Sequence, residues 1–224
     1  MARAGLSVER LVTAAAEMAD EVGFDRVSVS ALARRFGVKD ASLYSHVRGL
    51  QDLRTRLALH AGGELIDRIA AAVAGRAGKE ALTAFAGAYR AYALEHPGRY
   101  AATQIRVDRS LIADSPELRR TAEITYGMLR AYGLAEPDLT DAVRLLRSTF
   151  HGYCVLEGAG GFGADRDVRA SWDKAVDALH ITLEHWPREG ESEGESEGES
   201  EGESDGRATA PAATAPAATA ARRD

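Results

Sequence analysis

The sequence lacks the features that mark secreted and membrane proteins. It has one cysteine, Cys154, among 224 residues. A lone cysteine cannot form an internal disulfide, which is typical of a reducing compartment. No apolar run approaches the roughly 18 residues that a membrane span needs, and the N-terminus has no basic-then-apolar signal peptide. We therefore expect a cytoplasmic protein without membrane contact.

A strong net basic charge, the usual footprint of a nucleic-acid-binding protein, is also missing. The formal net charge is −6, with 28 Lys and Arg against 34 Asp and Glu. Residues 188–224 hold 10 of the acidic and 4 of the basic side chains, so the rest of the chain is neutral. Residues 1–60 carry 9 basic against 7 acidic side chains, which permits DNA binding there without requiring it.

The charge excess lies in a segment of low complexity. The repeat GESEGESEGESEGESDG is followed by an Ala/Pro-rich end, ATAPAATAPAATAARRD. Neither part has enough apolar residues to offset the entropy of ordering, so 188–224 is predicted to be a disordered acidic/Ala-Pro tail. The tail either acts as an inert solubilising extension or competes with DNA for the DNA-binding face.

Motifs for catalysis and cofactor binding are absent as well. The sequence has no phosphate loop, dinucleotide fingerprint or zinc-binding spacing, so we expect no cofactor, no metal and no enzymatic activity. His151, Cys154 and Glu157 recur at spacings of three, which leaves one alternative: an all-helical small-molecule-binding protein or enzyme that uses His151 and Glu157 without binding DNA. Side chains on one helix face project in parallel, however, and do not converge on one substrate atom. A redox role for Cys154 lacks a resolving cysteine, which favours a buried, inert thiol.

What the sequence does contain is helical periodicity. A first helix is predicted over 8–22, after the N-cap Ser7, from the apolar stripe of Val8, Leu11, Ala15, Met18 and Val22. A second helix starts after the N-cap Ser28 and stops at Gly37, and a third, very short helix follows over 40–46. Three helices, the last two joined by a tight glycine turn, predict a helix-turn-helix unit.

The third helix has a small, polar outer face. If Leu43 points into the core, the turn of about 100° per residue places Ala41 and Ser45 outside, where they fit a major groove. Tyr44 and His46 then reach sideways to phosphate oxygens. The alternative is that Tyr44 packs on the first helix and His46 caps the turn.

The residues at the start of this helix have chemistry that suits DNA. Lys39 can donate to guanine or to phosphate, and Asp40 can accept from cytosine. Asp40 can equally cap the helix.

The segment FDRVSVSALARRFGVKDASLYSHVRGLQDL, within residues 7–57, resembles the N-terminal DNA-binding domain of TetR-family transcriptional regulators. The Gly-Val turn and the Leu-Tyr-x-His sequence carry the resemblance at matched spacing. Where the family often opens its fourth helix with Lys, this chain has Leu50, and Arg48 is expected to supply that phosphate contact. In that family the third helix reads the major groove, which implies DNA contact for Lys39, Asp40, Ala41, Ser42, Tyr44, Ser45 and His46.

Further helices are predicted beyond the helix-turn-helix unit, over 50–74, 79–96, 115–133, from Pro137, and over 168–186. Gly62-Gly63 should interrupt the first of these, either as a ligand-operated hinge or as a simple break. The segment FHGYCVLEGAGGFG also looks like the C-terminal regulatory domain of one branch of TetR-like proteins.

The last two predicted helices have more apolar surface than one protomer needs, which predicts a homodimer through a four-helix interface. Its expected residues are Leu145, Gly152, Leu156, Trp172, Val176, Leu179 and Leu183. The middle helices are expected to enclose a pocket with aromatic walls and a few polar groups. The candidate pocket residues are Phe85, Tyr89, Tyr92, Gln104, Tyr126, Phe150, His151 and Cys154.

The sequence therefore predicts an all-α protein: a three-helix helix-turn-helix DNA-binding domain over 1–49, then a helical-bundle ligand-binding and dimerisation domain over 50–187, then the tail. The expected function is that of a ligand-responsive transcriptional regulator, a repressor that binds a palindromic double-stranded DNA operator as a homodimer and is released by a small-molecule inducer.

Overall fold

The computed structural model of the chain describes residues 6–107 and 116–187. Within these ranges the regular structure is helical and contains no strand, which confirms the all-α prediction. The helices are α1 (Val8–Val22), α2 (Val29–Phe36), α3 (Asp40–Leu43), α4 (Leu50–Val73), α5 (Gly78–Glu95), α6 (Pro97–Thr103), α7 (Pro116–Arg130), α8 (Asp138–Gly158) and α9 (Val168–Glu184), with a 3-10 turn at Phe24–Arg26. The predicted tail and the predicted start of α7 at Ser115 lie outside the described residues.

The capping signals act as the sequence predicts. The Ser7 hydroxyl accepts from the backbone N–H of Arg10 at 3.3 Å, and that of Ser28 accepts from Ala31 at 3.2 Å. Gly37 ends α2 with φ +65°, in the left-handed region that favours glycine. The first two helices are therefore bounded by local chemistry that the sequence displays directly.

Two predictions about the helices are wrong, and a third omits a helix. The third helix ends at Leu43, three residues before the predicted end at residue 46, and the chain from there to Val47 forms only a turn. Pro97 ends α5 but also opens α6, because proline suits the first turn of a helix. Gly62-Gly63 does not interrupt α4, which runs unbroken through both residues. Two glycines cost about 1 kcal/mol each in a helix, and packing of α4 against its neighbours outweighs that cost.

Two clusters of buried side chains form the core. The first joins α1, α2 and α3, here called the head, to the first half of α4 through Leu53 and Leu57. The second joins the later half of α4 to α5–α9, here called the body. Because α4 contributes to both clusters and α6 adds Ala102 to the first, the head packs directly on the rest of the chain. The predicted domain boundary after residue 49 stays a prediction.

Candidate nucleic-acid interface and core cavity

The outer face of α3 is built on two buried anchors. Leu43 and Val47 are 1% and 2% exposed and lie in the head core. The helical turn then directs Ala41, Ser42 and Tyr44 outward, and all three are exposed, Tyr44 to 57%. More than half of this aromatic side chain therefore lies in solvent. The alternative that Tyr44 packs on α1 does not fit this exposure.

The remaining residues of the predicted DNA contact set lie around the same face. Lys39, Ser45 and Arg48 are exposed, and His46 is half-buried. The carboxylate of Asp40 accepts a hydrogen bond from the Ser30 hydroxyl of α2. Asp40 therefore ties the two helices of the motif together, and Lys39 occupies the N-cap position without a side-chain capping bond.

Asp52 fixes the chain where α3 gives way to α4. Its carboxylate accepts from the backbone N–H of Arg48 at 2.9 Å and from the Arg56 guanidinium at 3.0 and 3.1 Å. Burial acts to raise the pKa of Asp52, but these hydrogen bonds and the charges of Arg56 and Arg48 outweigh it and lower the pKa. A charged Asp52 thus holds the backbone of Arg48 while leaving its guanidinium exposed.

The contact between α1 and α6 joins the head to the body. Gly98 lies so close to α1 that a β-carbon there would stand 1.9 Å from the carbonyl oxygen of Ala19. This proximity lets the Asp20 carboxylate accept from the backbone N–H of Arg99 at 2.9 Å and approach His96 Nδ1 at 3.0 Å. One acidic side chain of α1 therefore holds the first turn of α6.

Glu64 extends this junction to α4. Its carboxylate lies 3.2 Å from the Arg99 guanidinium, 3.3 Å from His60 Nε2 and 3.0 Å from the donating Tyr92 hydroxyl. The hydrogen bond from His60 outweighs burial and, with Arg99 and Tyr92, lowers the pKa of Glu64 to about 2. Residues of α1, α4, α5 and α6 are thus linked in one charged cluster.

A cavity of about 290 Å³ lies in the body between α4, α5, α6, α7 and α8. Four of the predicted pocket residues line it: Phe85, Tyr89, Gln104 and Phe150. The cavity is therefore bounded by α4, which continues from the head, and by α6, which contacts the head. Its lining residues are Gly62, Leu65, Ile66, Ile69, Phe85, Tyr89, Thr103, Gln104, Thr125, Val143, Leu146, Arg147 and Phe150.

The other predicted pocket residues lie elsewhere. His151 and Cys154 line a neighbouring cleft that shares Gln104 with the cavity. Tyr92 is fully buried, with its hydroxyl, which contacts Glu64, also 3.0 Å from the Ala61 carbonyl oxygen, and Tyr126 packs half-buried against the core. The rings of Tyr92 and Tyr126 therefore pack against neighbouring helices of the core and do not line the cavity.

Comparison with known proteins identifies the family. Residues 11–54 match the profile described as "Bacterial regulatory proteins, tetR family", and residues 82–179 match "Tetracyclin repressor-like, C-terminal domain". The chain is 35% identical to the HTH-type transcriptional regulator YobS of Bacillus subtilis over 170 residues, which cover 75% of this chain and 88% of that protein. The chain belongs to the TetR family of bacterial regulatory proteins.

This TetR-family regulator has a second relative of similar closeness, the HTH-type regulator Rv0681 of Mycobacterium tuberculosis, 37% identical over 84% of this chain and 86% of the relative. Among solved structures, a TetR variant of Acinetobacter baumannii in complex with minocycline shares the fold, with TM-score 0.62 and 22% identity over 81% of this chain and 98% of that chain. The family consists of transcriptional regulators and not of enzymes, as the sequence analysis predicted. In the described ranges, no helix of the regulator has the length and apolar character that crossing a bilayer requires.

The residues His151, Cys154 and Glu157 of α8 have three separate environments in the regulator. His151 Nδ1 lies 2.7 Å from the Tyr100 hydroxyl, which lies 2.8 Å from that of Tyr89. Glu157 forms a two-point ion pair with Arg90. Cys154 is buried, and burial together with the charge of Glu157 raises the pKa of its thiol to about 12. The three side chains do not act on a common atom.

The predicted interface residues of α9 are buried inside the protomer. Trp172, Val176, Leu179 and Leu183 are between 0 and 7% exposed, in the same cluster as Phe150. Their stripe covers α5 and α8 of the same chain, so it is not available to a partner, and the sequence-based assignment of these four needs this correction. On α8, Leu145 and Gly152 are half-buried and Leu156 is 48% exposed. Val155 and Ile181, 48% and 57% exposed, were not predicted.

Arg147 is the functional candidate that the sequence analysis missed. It is exposed and lines the cavity with Val143, Leu146 and Phe150, its neighbours at i−4, i−1 and i+3. The signal in the sequence was a cation placed at helical spacing among these three apolar residues.

Proposed function

We propose that the regulator binds a palindromic operator as a homodimer and represses transcription until a small molecule enters the core cavity. The exposed face of α3 carries this proposal. Its small and polar side chains are already at the surface, so they can enter a major groove without a change in the fold. Lys39 meets base edges or phosphate at one end of the face, and Tyr44 and Arg48 contact phosphates at its sides. The protein would act in the cytoplasm, where the bacterial chromosome lies.

Exposed apolar side chains support a homodimer. Val155 and Leu156 near the end of α8 and Ile181 near the end of α9 leave large apolar groups in solvent. Pairing of α8 and α9 across a two-fold axis covers them. The same axis relates the two α3 helices, so the operator repeats at a spacing of one helical turn of DNA or a multiple of it.

The position of α6 supports a route from cavity to head. Thr103 and Gln104 at the end of α6 line the cavity, and Gly98 and Arg99 at its start contact α1. A ligand that prefers one position of α6 therefore shifts the population of head positions by its difference in affinity for the two states. A head spacing that no longer fits the operator releases the DNA.

Selection from a random duplex library with the purified chain tests operator binding, followed by fluorescence anisotropy on the enriched sequence. We expect a palindrome, and an affinity that falls steeply with salt. Tyr44→Ala should weaken binding about fivefold or more, since one hydrogen bond from the phenol to a phosphate is worth about 1 kcal/mol.

Two lysines provide a charge-matched pair of variants. Lys39→Ala should weaken binding and reduce the salt slope by about 1, whereas Lys174→Ala, which removes the same charge from the exposed surface of α9, should leave both unchanged. If Lys39→Ala and Lys174→Ala bind the enriched sequence with the same affinity, α3 is excluded as the helix that contacts the DNA.

Sedimentation of the chain tests the dimer. Leu156→Arg should yield monomers, because it buries a charge in the proposed interface. Leu94→Arg, at a 36% exposed leucine of α5, is the matched control and should remain dimeric. A monomeric wild-type chain would remove the two-fold operator from the proposal.

A further inference from the structure

We propose that the core cavity binds an apolar monoanion of about ten non-hydrogen atoms, such as a medium-chain or arylalkyl carboxylate, whose acid group pairs with Arg147. This deepens the proposed function, on which it rests for the statement that the cavity is the inducer site. Size, wall chemistry and charge each limit the ligand.

The size follows from the cavity volume of about 290 Å³. A water-sized group takes about 30 Å³ in a liquid, so about ten such groups fill this space. This is the lower end of the range for ligand pockets. Dinucleotides and polycyclic ligands would extend beyond this space.

The walls are mainly apolar. Three helices contribute aliphatic or aromatic side chains, which favour a hydrocarbon chain or one aromatic ring over a sugar whose hydroxyls would find few partners. These side chains are Leu65, Ile66, Ile69, Phe85, Val143, Leu146 and Phe150.

The charge is set by Arg147. Among the described lining residues it is the one with a formal charge, and no carboxylate stands beside it. Within residues 6–107 and 116–187 it forms no ion pair. A guanidinium next to apolar walls favours an anionic ligand that can accept its paired N–H donors, and it repels a cation.

Tyr89 and Gln104 place additional donors near this cation. The positive charge of Arg147 acts on the Tyr89 and Tyr100 phenols and opposes the rise that burial causes in their pKa. The chain from Tyr89 through Tyr100 to His151 can run in either direction, since each hydroxyl both donates and accepts. When His151 Nδ1–H donates to Tyr100, the hydroxyl of Tyr89 is free to donate to a carboxylate. An acidic ligand therefore favours one direction of this chain.

The test uses the full chain without DNA and octanoate as the probe. Trp172 reports on the cavity, because its ring lies 5.4 Å from that of Phe150, which lines it. Tryptophan fluorescence and titration calorimetry should show saturable octanoate binding. Octanamide, of the same size but neutral, should bind about tenfold more weakly, as expected for losing a charge-assisted bond. Octylamine should not bind at pH 7.

Variants of two neighbouring arginines on α8 assign the charge to its residue. Arg147→Gln should lower the affinity for octanoate to that for octanamide and leave octanamide binding unchanged, and Arg147→Lys should retain part of the preference. Arg144→Gln is the matched control, because Arg144 is exposed, pairs with Asp141 and does not line the cavity. Unchanged circular dichroism shows that each variant is folded.

The outcomes separate this proposal from the preceding one. Equal binding of octanoate and octanamide, or an Arg147→Gln variant that keeps the preference, overturns the monoanion. If neither octanoate nor octanamide binds, the monoanion is also overturned, whatever the DNA selection shows. Octanoate that binds with the expected preference but leaves operator affinity unchanged upholds the ligand class and contradicts the inducer role.

Discussion

Replacing Gly98 by Ala is the most direct test of the contact between head and body. The added β-carbon would stand 1.9 Å from the carbonyl oxygen of Ala19 and 2.6 Å from the backbone nitrogen of Asp20. Both are backbone atoms of α1, so no side-chain rotation relieves the overlap. The two helices must separate, and the hydrogen bond from Arg99 N–H to Asp20 lengthens beyond its 2.9 Å.

The expected loss of stability combines two effects. Overpacking of this kind costs about 1–3 kcal/mol, and weakening a hydrogen bond to a charged acceptor adds up to about 1.5–3 kcal/mol. We expect a total of about 3 kcal/mol. For a chain of this size that lowers the Tm by about 6–12 °C.

Gly87→Ala is the matched control. Gly87 lies exposed within α5, and a β-carbon there meets nothing within 4 Å. Alanine in a helix interior is about 0.5–1 kcal/mol better than glycine, so this Tm should rise by about 1–4 °C. Both variants are melted by far-UV circular dichroism at one protein concentration, because the proposed dimerisation would make the Tm concentration-dependent. If Gly98→Ala melts with or above the wild-type chain, the close approach of α6 to α1 is refuted.

Three further predictions concern ionisable groups. The pKa of Glu64 is lowered from its ordinary value of 4.5 to about 2, so its contribution to folding stability is present above pH 4.5 and lost as the pH falls to 2. At pH 7 the wild-type chain should be about 2 kcal/mol more stable than Glu64→Gln, after allowing for solvent screening. Urea titrations should show this difference shrinking between pH 4.5 and pH 2. The thiol of Cys154, with its pKa raised to about 12, should resist iodoacetamide at pH 8 in the folded chain and react readily in guanidinium, and equal rates would contradict its burial. Glu157→Gln should cost about 2 kcal/mol by leaving the half-buried Arg90 unpaired, whereas the double variant Arg90→Met/Glu157→Leu should lie within about 1 kcal/mol of wild type, as urea titrations would measure.

The head was the part of the fold most open to prediction from sequence. Ser7, Ser28 and Gly37 act within a few residues of themselves, so their roles follow from local chemistry. The orientation of α3 likewise follows from one buried position, Leu43, and a fixed turn per residue.

The cavity and the interface depend on contacts between distant helices, which a periodic pattern does not specify. The apolar stripe that contains Trp172 and Leu183 could pack equally well on a partner subunit or on α5 and α8 of the same chain. In the structure it packs on α5 and α8. Gly62 and Gly63 predict a break when helix propensity is considered alone, yet packing keeps α4 continuous. Arg147 gains its meaning only when α4, α5 and α7 close around it.

The construction of α3 bears on how this regulator could acquire new operators. Its proposed reading face lies over the buried Leu43 and Val47 and is joined to α2 by the hydrogen bond from Ser30 to Asp40, while Ala41, Ser42 and Ser45 contribute little to the folded core. If α3 reads the operator as proposed, substitutions at those three positions alter which bases are recognised with almost no penalty in stability. Sequence preference and structural integrity would then change independently, which makes the segment a natural place to re-target the protein by design.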